Sequence, residues 1–252
     1  MQNDLFTYTL HLADNSLIMG HRLSVWTGHG PMLEQDIAIT NIALDLIGQS
    51  RNFYQYAATI TETDATEDSL AYLRDSRDFS NLLITEITNG DWAKTTMKLF
   101  LFSTWQFYFF QQLINSSDKQ LAAIAEKSLK EVTYHVRWSG EWIIRLGDGT
   151  EESNKRIKAA LEEVWPFTGE MFLPAEYEKS LLNNHVSVNV SDIKNDWNTK
   201  VINVLEEATL IFPGDKNTWM HTGGKDGIHT EHLGHILAAM QFLQRAYPGC
   251  EW

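Results

Sequence analysis

The stretch WAKTTMKLFLFSTWQFYFFQQLI, Trp92–Ile114, decides the fold class of this chain. Its apolar residues continue for about six helical turns, which predicts one long helix. The most apolar part, Leu99–Phe110, is interrupted by polar residues and falls short of the roughly 20 apolar residues that a membrane span requires. We therefore expect a helix of a protein core and not a membrane helix.

Three further long segments show the same helical spacing of apolar residues. The glycine-containing break TGHGP separates the first two, and the polar break NSSD separates the last two. Between the second and third helices lies a connection of about 30 residues, with one short helix expected near Ser69–Tyr72. The predicted long helices are Leu5–Trp26, Leu33–Ile60, Trp92–Ile114 and Gln120–Leu146.

Short, long and short connections between four long helices are typical of a ferritin-like four-helix bundle with one long crossover. We expect residues 1–147 to form this bundle core and residues 148–252 to add three shorter helices, the whole chain making one all-α domain. The segment HVSVNV, His185–Val190, is strand-like in composition, and we interpret it as a loop.

Composition and charge exclude several classes of function. The formal net charge of −13 disfavours nucleic acid and acidic membrane surfaces as partners. The single cysteine, Cys250, cannot form an internal disulfide, and the first residues lack the basic start and apolar run of a secretory signal. We therefore expect a cytoplasmic protein.

A bundle of this connectivity raises the question of a di-iron centre. In di-iron carboxylate bundles, two helices each supply a glutamate and two supply Glu-x-x-His. Here the candidate positions are Asp14, Asp45 and Glu131. Gly48 stands three residues after Asp45, and Tyr134 stands three after Glu131, so both expected histidines are missing. The pattern indicates a degenerate site.

The third predicted helix strengthens this interpretation. From Trp92 through Ser117 there is no aspartate, glutamate or histidine, so one wall of the site has no carboxylate to offer. Three aromatic residues in its middle, Phe102, Trp105 and Phe109, are expected to fill the space with rings.

Two interpretations of the remaining ligand-like groups stay open. In the first, Glu131 belongs to a charge network on the helix face with Lys127 and His135, each four residues away. In the second, five side chains on three helices gather around one zinc, manganese or iron ion and support a metal-dependent oxidoreductase. This alternative ligand set is His11, Asp14, Asp45, Glu131 and His135.

The stretch TGGKDGIHTEHLGH, Thr222–His235, is a second candidate site. Its three histidines recur at intervals of three, so at most two can point at a common ion. We interpret it as a glycine-rich turn before a helix whose early acid, Glu231, suits the positive end of the helix dipole. A weaker alternative is that Lys225 and the loop amides bind an anionic group.

Five segments carry a family resemblance that extends over nearly the whole chain. They resemble the C subunits of the bacterial phenylacetyl-CoA ring epoxidase, a multicomponent monooxygenase. The segments are LDLIGQSRNFYQYAA from Leu44, RDFSNLL from Arg77, KEVTYHVRWSGEWIIRLGDGT from Lys130, TGGKDGIHTEHLG from Thr222 and MQFLQRAYPG from Met240.

The resemblance implies a ferritin-like subunit that has lost its metal ligands and is not itself the catalyst. It further implies that the di-iron centre lies in the related A subunit, which pairs with this chain, and that this chain itself holds no cofactor. A subunit of this kind should expose a large apolar face in isolation, and by the same face it could form a homodimer when its partner is absent.

Overall fold

The computed structural model describes residues 2–214 and 219–250, and within them the secondary structure consists of helices and turns without strands. Eleven α-helices lie in these described residues. They are α1 Gln2–Ser24, α2 Leu33–Ile60, α3 Glu67–Tyr72, α4 Leu83–Glu86, α5 Trp92–Leu113, α6 Lys119–Gly147, α7 Glu151–Val164, α8 Glu176–Leu182, α9 Lys194–Glu207, α10 Glu231–Met240 and α11 Phe242–Ala246.

Helices α1 and α2 form an antiparallel hairpin. At one end the side-chain amide of Gln2 donates to the carbonyl of Ile60 at 2.9 Å. Toward the other end Gly20 lies against Ile47, and a Cβ added to Gly20 would meet the Ile47 side chain at 3.0 Å. The turn between the helices is held by the carboxylate of Asp36, which accepts two backbone N–H bonds from the TGHGP segment at 2.9 Å each. The short break therefore produces the predicted tight reversal.

Helices α5 and α6 form a second antiparallel hairpin. The Trp92 ring at the start of α5 meets the rings of Trp138 and Trp142 near the end of α6, at centroid distances of 5.8 and 5.5 Å. Each helix begins at an aspartate whose carboxylate accepts backbone N–H bonds of the first turn, Asp91 for α5 and Asp118 for α6. Such caps satisfy donors that the helix itself cannot.

The predicted long helices are confirmed, with small shifts at their ends. The first ends at Ser24 and not at Trp26, because a hydrogen-bonded turn begins there, with the Trp26 N–H donating to the carbonyl of Leu23 at 3.0 Å. Beyond residue 148 the expectation of three helices is wrong in number. Five are present in the described residues, because the short helix α8 is additional and the last predicted helix divides into α10 and α11.

The fold class is confirmed. The described chain is all-helical, and its order of two long hairpins joined by a long connection is that of a ferritin-like bundle with additional helices. The segment His185–Val190 is a loop, as expected.

The chain divides into two compact units. Unit 1 comprises the described residues of Met1–Thr88, Ala175–Leu181 and Gly223–Trp252, and unit 2 those of Asn89–Pro174 and Leu182–Thr222. Unit 1 contains α1–α4, α10 and α11, and unit 2 contains α5–α7 and α9. The single domain expected from the sequence stays a prediction.

Among the described helices, none is both long enough and apolar enough to cross a membrane. This agrees with the interpretation of Leu99–Phe110 as core, since its residues lie in the buried middle of α5.

Candidate functional site

The carboxylate of Asp14 lies at the centre of a buried polar cluster in unit 1. Asp14 sits in the middle of α1 and is fully buried. The guanidinium of Arg74 forms a two-pronged ion pair with it, with Nη2 on Oδ1 and Nη1 on Oδ2 at 3.2 Å. The hydroxyl of Tyr54, from α2, donates to Oδ1 at 2.5 Å. The backbone N–H of Ser80 donates to Oδ2 at 2.9 Å. Both oxygens of Asp14 are therefore occupied by donors.

Arg74 is itself fixed by the connection that follows α3. Its Nε donates to the carbonyl of Leu70 at 2.5 Å, its Nη1 donates to the carbonyl of Asp78 at 2.7 Å, and its guanidinium lies 4.2 Å from the ring centre of Phe79. Burial alone would lower the pKa of Arg74, but the carboxylate of Asp14 outweighs it and raises that pKa above its ordinary value. Arg74 is thus a permanent cation at this position.

His11, one turn before Asp14, is also fully buried, and both of its ring nitrogens are used. Nδ1 lies 2.6 Å from the carbonyl of Ser80, so it must carry the proton and donate. Nε2 lies 3.2 Å from the side-chain amide nitrogen of Asn15, whose oxygen accepts from the N–H of Leu82. Nε2 therefore accepts, and the ring is neutral. Burial, reinforced by the charge of Lys225, lowers the pKa of His11 to about 4.

A second buried charge centre in unit 1 joins Glu86 to His229. The carboxylate of Glu86 lies 2.9 Å from Nδ1 of His229, while Nε2 of the same ring lies 2.8 Å from the carbonyl of Phe79. Because both neighbours are acceptors, both nitrogens must donate and the ring is an imidazolium. Burial lowers the pKa of His229, but the hydrogen bond and charge of Glu86 outweigh it and raise that pKa above 6.5.

Further donors converge on Glu86. Its Oε1 accepts the backbone N–H of Thr230 at 2.6 Å, and its Oε2 accepts the side-chain amide of Asn81 at 3.0 Å. The guanidinium of Arg22 donates twice to the Glu86 backbone carbonyl. Glu86 therefore ties α1 and α4 to the segment that precedes α10.

The glycine-rich segment Thr222–His235 is a structured turn before a helix, as interpreted. Thr230 caps α10 by accepting the N–H of His232, and Glu231 lies in the first turn. Lys225 does meet an anionic group, but that group is internal: its Nζ lies 2.7 Å from the carboxylate of Glu178 in α8, and both side chains are buried.

The remaining predicted positions differ in their surroundings. Asp45 in α2 and Glu131 in α6 are half-buried, and Tyr134 is exposed. His135 is fully buried, with its ring 6.4 Å from that of Tyr134. Gly48 is exposed, so its position on α2 faces away from the core of unit 1. Whether Glu131 joins a charge network with Lys127 and His135 stays a prediction.

Helix α5 of unit 2 carries buried aromatic rings and buried lysines. The rings of Phe102, Trp105 and Phe109 are buried and stacked in sequence, at centroid distances of 6.0 and 4.8 Å. The expectation that they fill the space of a metal site stays a prediction. Two buried lysines lie on the same helix. Lys98 donates to the side-chain oxygen of Asn89 at 2.9 Å, and Lys94 pairs with Glu163.

These surroundings in unit 1 do not fit a metal ion. A carboxylate that accepts from a guanidinium, a phenol and a backbone amide has little capacity left for a cation, and His11 has no free lone pair. Across residues 2–214 and 219–250, no three or more His, Cys, Asp or Glu side chains form a group that could hold a metal ion. The arrangement holds helices together through fixed charges.

Sequence comparison identifies the family. The family described as phenylacetic acid catabolic protein matches residues 1–252. The chain belongs to this family. Among curated proteins, it is 44% identical over 250 residues to the C subunit of the 1,2-phenylacetyl-CoA epoxidase of Escherichia coli strain K12, a match that covers 99% of this chain and 100% of that protein.

For this member of the phenylacetic acid catabolic family, sequence reasoning found Asp14 and His11 but missed their partners. Arg74 lies 60 residues from Asp14 in an irregular connection, and His229 lies 143 residues from Glu86. The segment RDFSNLL, which begins at Arg77 and follows Arg74 closely, carries the family resemblance but no recognisable ligand pattern. Its Phe79 and Ser80 contact Arg74, Asp14 and His11.

Proposed function

We infer that this chain is a non-catalytic, structural subunit of a multicomponent phenylacetyl-CoA ring epoxidase, in which it pairs with the di-iron catalytic subunit during aerobic phenylacetate breakdown. The observation that carries this inference is the ion pair between Arg74 and Asp14. Arg74 brings a fixed positive charge to the carboxylate that would otherwise be the first candidate ligand of α1. The similarity to the C subunit of the Escherichia coli epoxidase supports the same role.

The proposal assigns the di-iron centre and the phenylacetyl-CoA site to the partner, the A subunit, and gives this chain no cofactor. Its contribution is a rigid helical surface, for which the buried pairs of unit 1 supply the stiffness. A homodimer is the proposed state when the partner is absent. The cytoplasm stays the expected location, in line with the single cysteine.

Elemental metal analysis tests the proposal first. The chain is produced without a histidine tag, in medium containing iron, manganese and zinc, and without contact with chelators. We expect close to no metal per chain, whereas the co-expressed catalytic subunit retains iron in the complex. One or two ions bound stoichiometrically to the isolated chain would overturn the proposal, and would favour the metal-dependent oxidoreductase that uses His11, Asp14, Asp45, Glu131 and His135.

Activity of the reconstituted complex provides the second test. Glu131→Ala in this chain should leave phenylacetyl-CoA epoxidation by the complex unchanged, because the proposal gives this carboxylate no chemical step. The matched control is Glu141→Ala, an exposed glutamate of the same helix. Loss of turnover in the first variant but not in the second, with the complex still assembled, would contradict the structural role.

A further inference from the structure

The outward face of α2 carries exposed apolar side chains along its N-terminal half, together with the polar Glu34 and Asn41. From Glu34 onward the exposed residues of this helix recur every three or four positions, which places them on one face, and the adjacent Leu33 is exposed as well. They are Leu33, Glu34, Ile37, Asn41, Leu44, Gly48, Arg51, Gln55 and Thr59. Leu33, Ile37 and Leu44 are 70%, 51% and 63% exposed. We name Leu33, Ile37, Leu44 and Gly48 the outer stripe of α2.

Gly48 is a second indication that another molecule packs against the outer stripe. A Cβ placed on this residue would meet no atom within 4 Å, so nothing in the chain itself requires glycine there. Glycine in the interior of an exposed helix weakens the helix relative to alanine. A glycine that has no packing reason inside the chain is explained if another backbone approaches it closely.

The spacing along the outer stripe fits a helix as the occupant. Leu33, Ile37, Leu44 and Gly48 follow one another at intervals of four, seven and four residues. With Leu33 at a d position, Ile37 and Leu44 fall at a positions of the same heptad frame and Gly48 at the adjacent e position. The three apolar residues therefore lie along an a/d-type seam, in which side chains of one helix fit into the spaces of another. Val25 and Met32, which are also more than half exposed, extend the apolar surface beyond the start of the helix.

The charged residues beside the outer stripe of α2 indicate whether a second copy of this chain or a different protein binds there. From Met32 to Ser50 there is no lysine, arginine or histidine, while three carboxylates are present, those of Glu34, Asp36 and Asp45. Arg51, which follows on the same face, lies 3.5 Å from the carboxylate of Glu67. Two copies of a chain with net charge −13 that met along this face would bring like charges together. A complementary helix would carry lysine or arginine beside its own apolar seam.

The size of the outer stripe also favours a different protein over a second copy of this chain. Together with Val25 and Met32 it comprises six residues, whereas a stable interface takes about 20–30 residues from each partner. A stable interface needs about 800 Å² from each partner. Stripe packed on stripe in a homodimer is therefore too small, and the stripe suits the apolar centre of a wider interface with polar edges.

We propose that the outer stripe of α2 receives a helix of the partner subunit, one with an apolar seam flanked by lysine or arginine. The proposal rests on the proposed function for the existence of that partner and specifies which face the partner contacts. Gly48 marks the point of closest approach between the two helices, and the three carboxylates beside the stripe guide the encounter.

Binding of the purified catalytic subunit of the same organism, measured by titration calorimetry, tests the proposal. Ile37→Glu and Leu44→Glu should each weaken the Kd by at least about tenfold, as expected for residues at the centre of an interface. Gly48→Leu should weaken it similarly while leaving the helix intact, since the position has free space. The control is Ile211→Glu, an 85% exposed isoleucine of unit 2, which should change Kd by less than about twofold.

The outcomes separate the two proposals. If the wild-type chain does not bind the catalytic subunit, the proposed function fails. If it binds and the α2 variants bind equally well, with helical circular dichroism unchanged, the assignment of this face is wrong and the function stands. If light scattering shows a wild-type dimer that Leu44→Glu converts to monomer, while this variant binds the catalytic subunit as tightly as wild type, a second copy and not the partner occupies the stripe and the proposal is overturned. A Kd that does not rise with salt concentration in the same titrations would refute the lysine or arginine flank of the partner helix.

Discussion

Replacement of Arg74 by methionine tests whether the cluster around Asp14 stabilises the chain through charge. The variant removes a cation that is 12% exposed from a carboxylate that is fully buried. Removing one partner of a buried ion pair costs about 3–5 kcal/mol, because the other charge is left without compensation. The two charged hydrogen bonds that Asp14 loses give a similar figure, at about 1.5–3 kcal/mol each. We expect the free energy of unfolding to fall by about 4 kcal/mol.

Urea denaturation followed by circular dichroism measures this loss. The matched control is Arg156→Met, which removes a guanidinium from an exposed i,i+4 pair with Glu152. Such surface pairs contribute about 1 kcal/mol or less, so the control should differ little from wild type. Since the chain contains two compact units, unfolding should be followed with a second probe to reveal separate transitions.

A second substitution distinguishes the lost charge from lost packing. Asp14→Asn in the Arg74→Met background removes the uncompensated carboxylate, and we expect it to restore a large part of the stability. The reasoning is refuted if Arg74→Met costs no more than Arg156→Met, or if the double variant is less stable than Arg74→Met alone. Either result would mean that Asp14 does not depend on Arg74 for its charge.

Three further predictions concern the same unit. The pKa of His11 is lowered from 6.5 to about 4. The stabilisation that its neutral ring provides is therefore complete above pH 6.5, and about 3 kcal/mol of it is lost as the pH falls to about 4. His11→Gln should make the free energy of unfolding, measured by urea denaturation, depend less on pH over that window. The pKa of His229 is raised in the folded chain, so the stabilisation that its charged ring provides is complete below pH 6.5 and is lost as the pH rises through that raised pKa. In the same assay, His229→Gln should therefore lower the free energy of unfolding more at pH 6 than at pH 9. Gly48→Ala should stabilise α2 by about 1 kcal/mol and so raise the midpoint of thermal unfolding. Gly227→Ala is the control and should lower that midpoint, because Gly227 has φ 75° and an added Cβ would lie 2.5 Å from the carbonyl oxygen of Arg77.

The long helices could be predicted from the sequence because their causes are local. Apolar residues at helical spacing and caps such as Asp91 and Asp118 act within a few residues, so they are legible in the chain itself. The break TGHGP, the break NSSD and the long connection between them set the order of the hairpins. The short helix α8 could not be predicted in this way, because seven residues give too little periodicity to recognise.

The sequence also favoured a degenerate metal site, which stays a prediction. Gly48 and Tyr134 at the expected histidine positions, and a third helix without acids, are statements about residue type at fixed spacing. The hydrogen bonds that Asp14 and His11 make could not be predicted from the sequence. That depends on which groups the fold brings to them.

The sequence by itself thus determined the all-helical architecture and the family. Only the tertiary structure decided that Arg74 neutralises Asp14, that His11 is neutral and that His229 is charged. The physical reason is that each of these states is set by partners 60 or more residues away, whose hydrogen bonds and charges act only after packing has removed water.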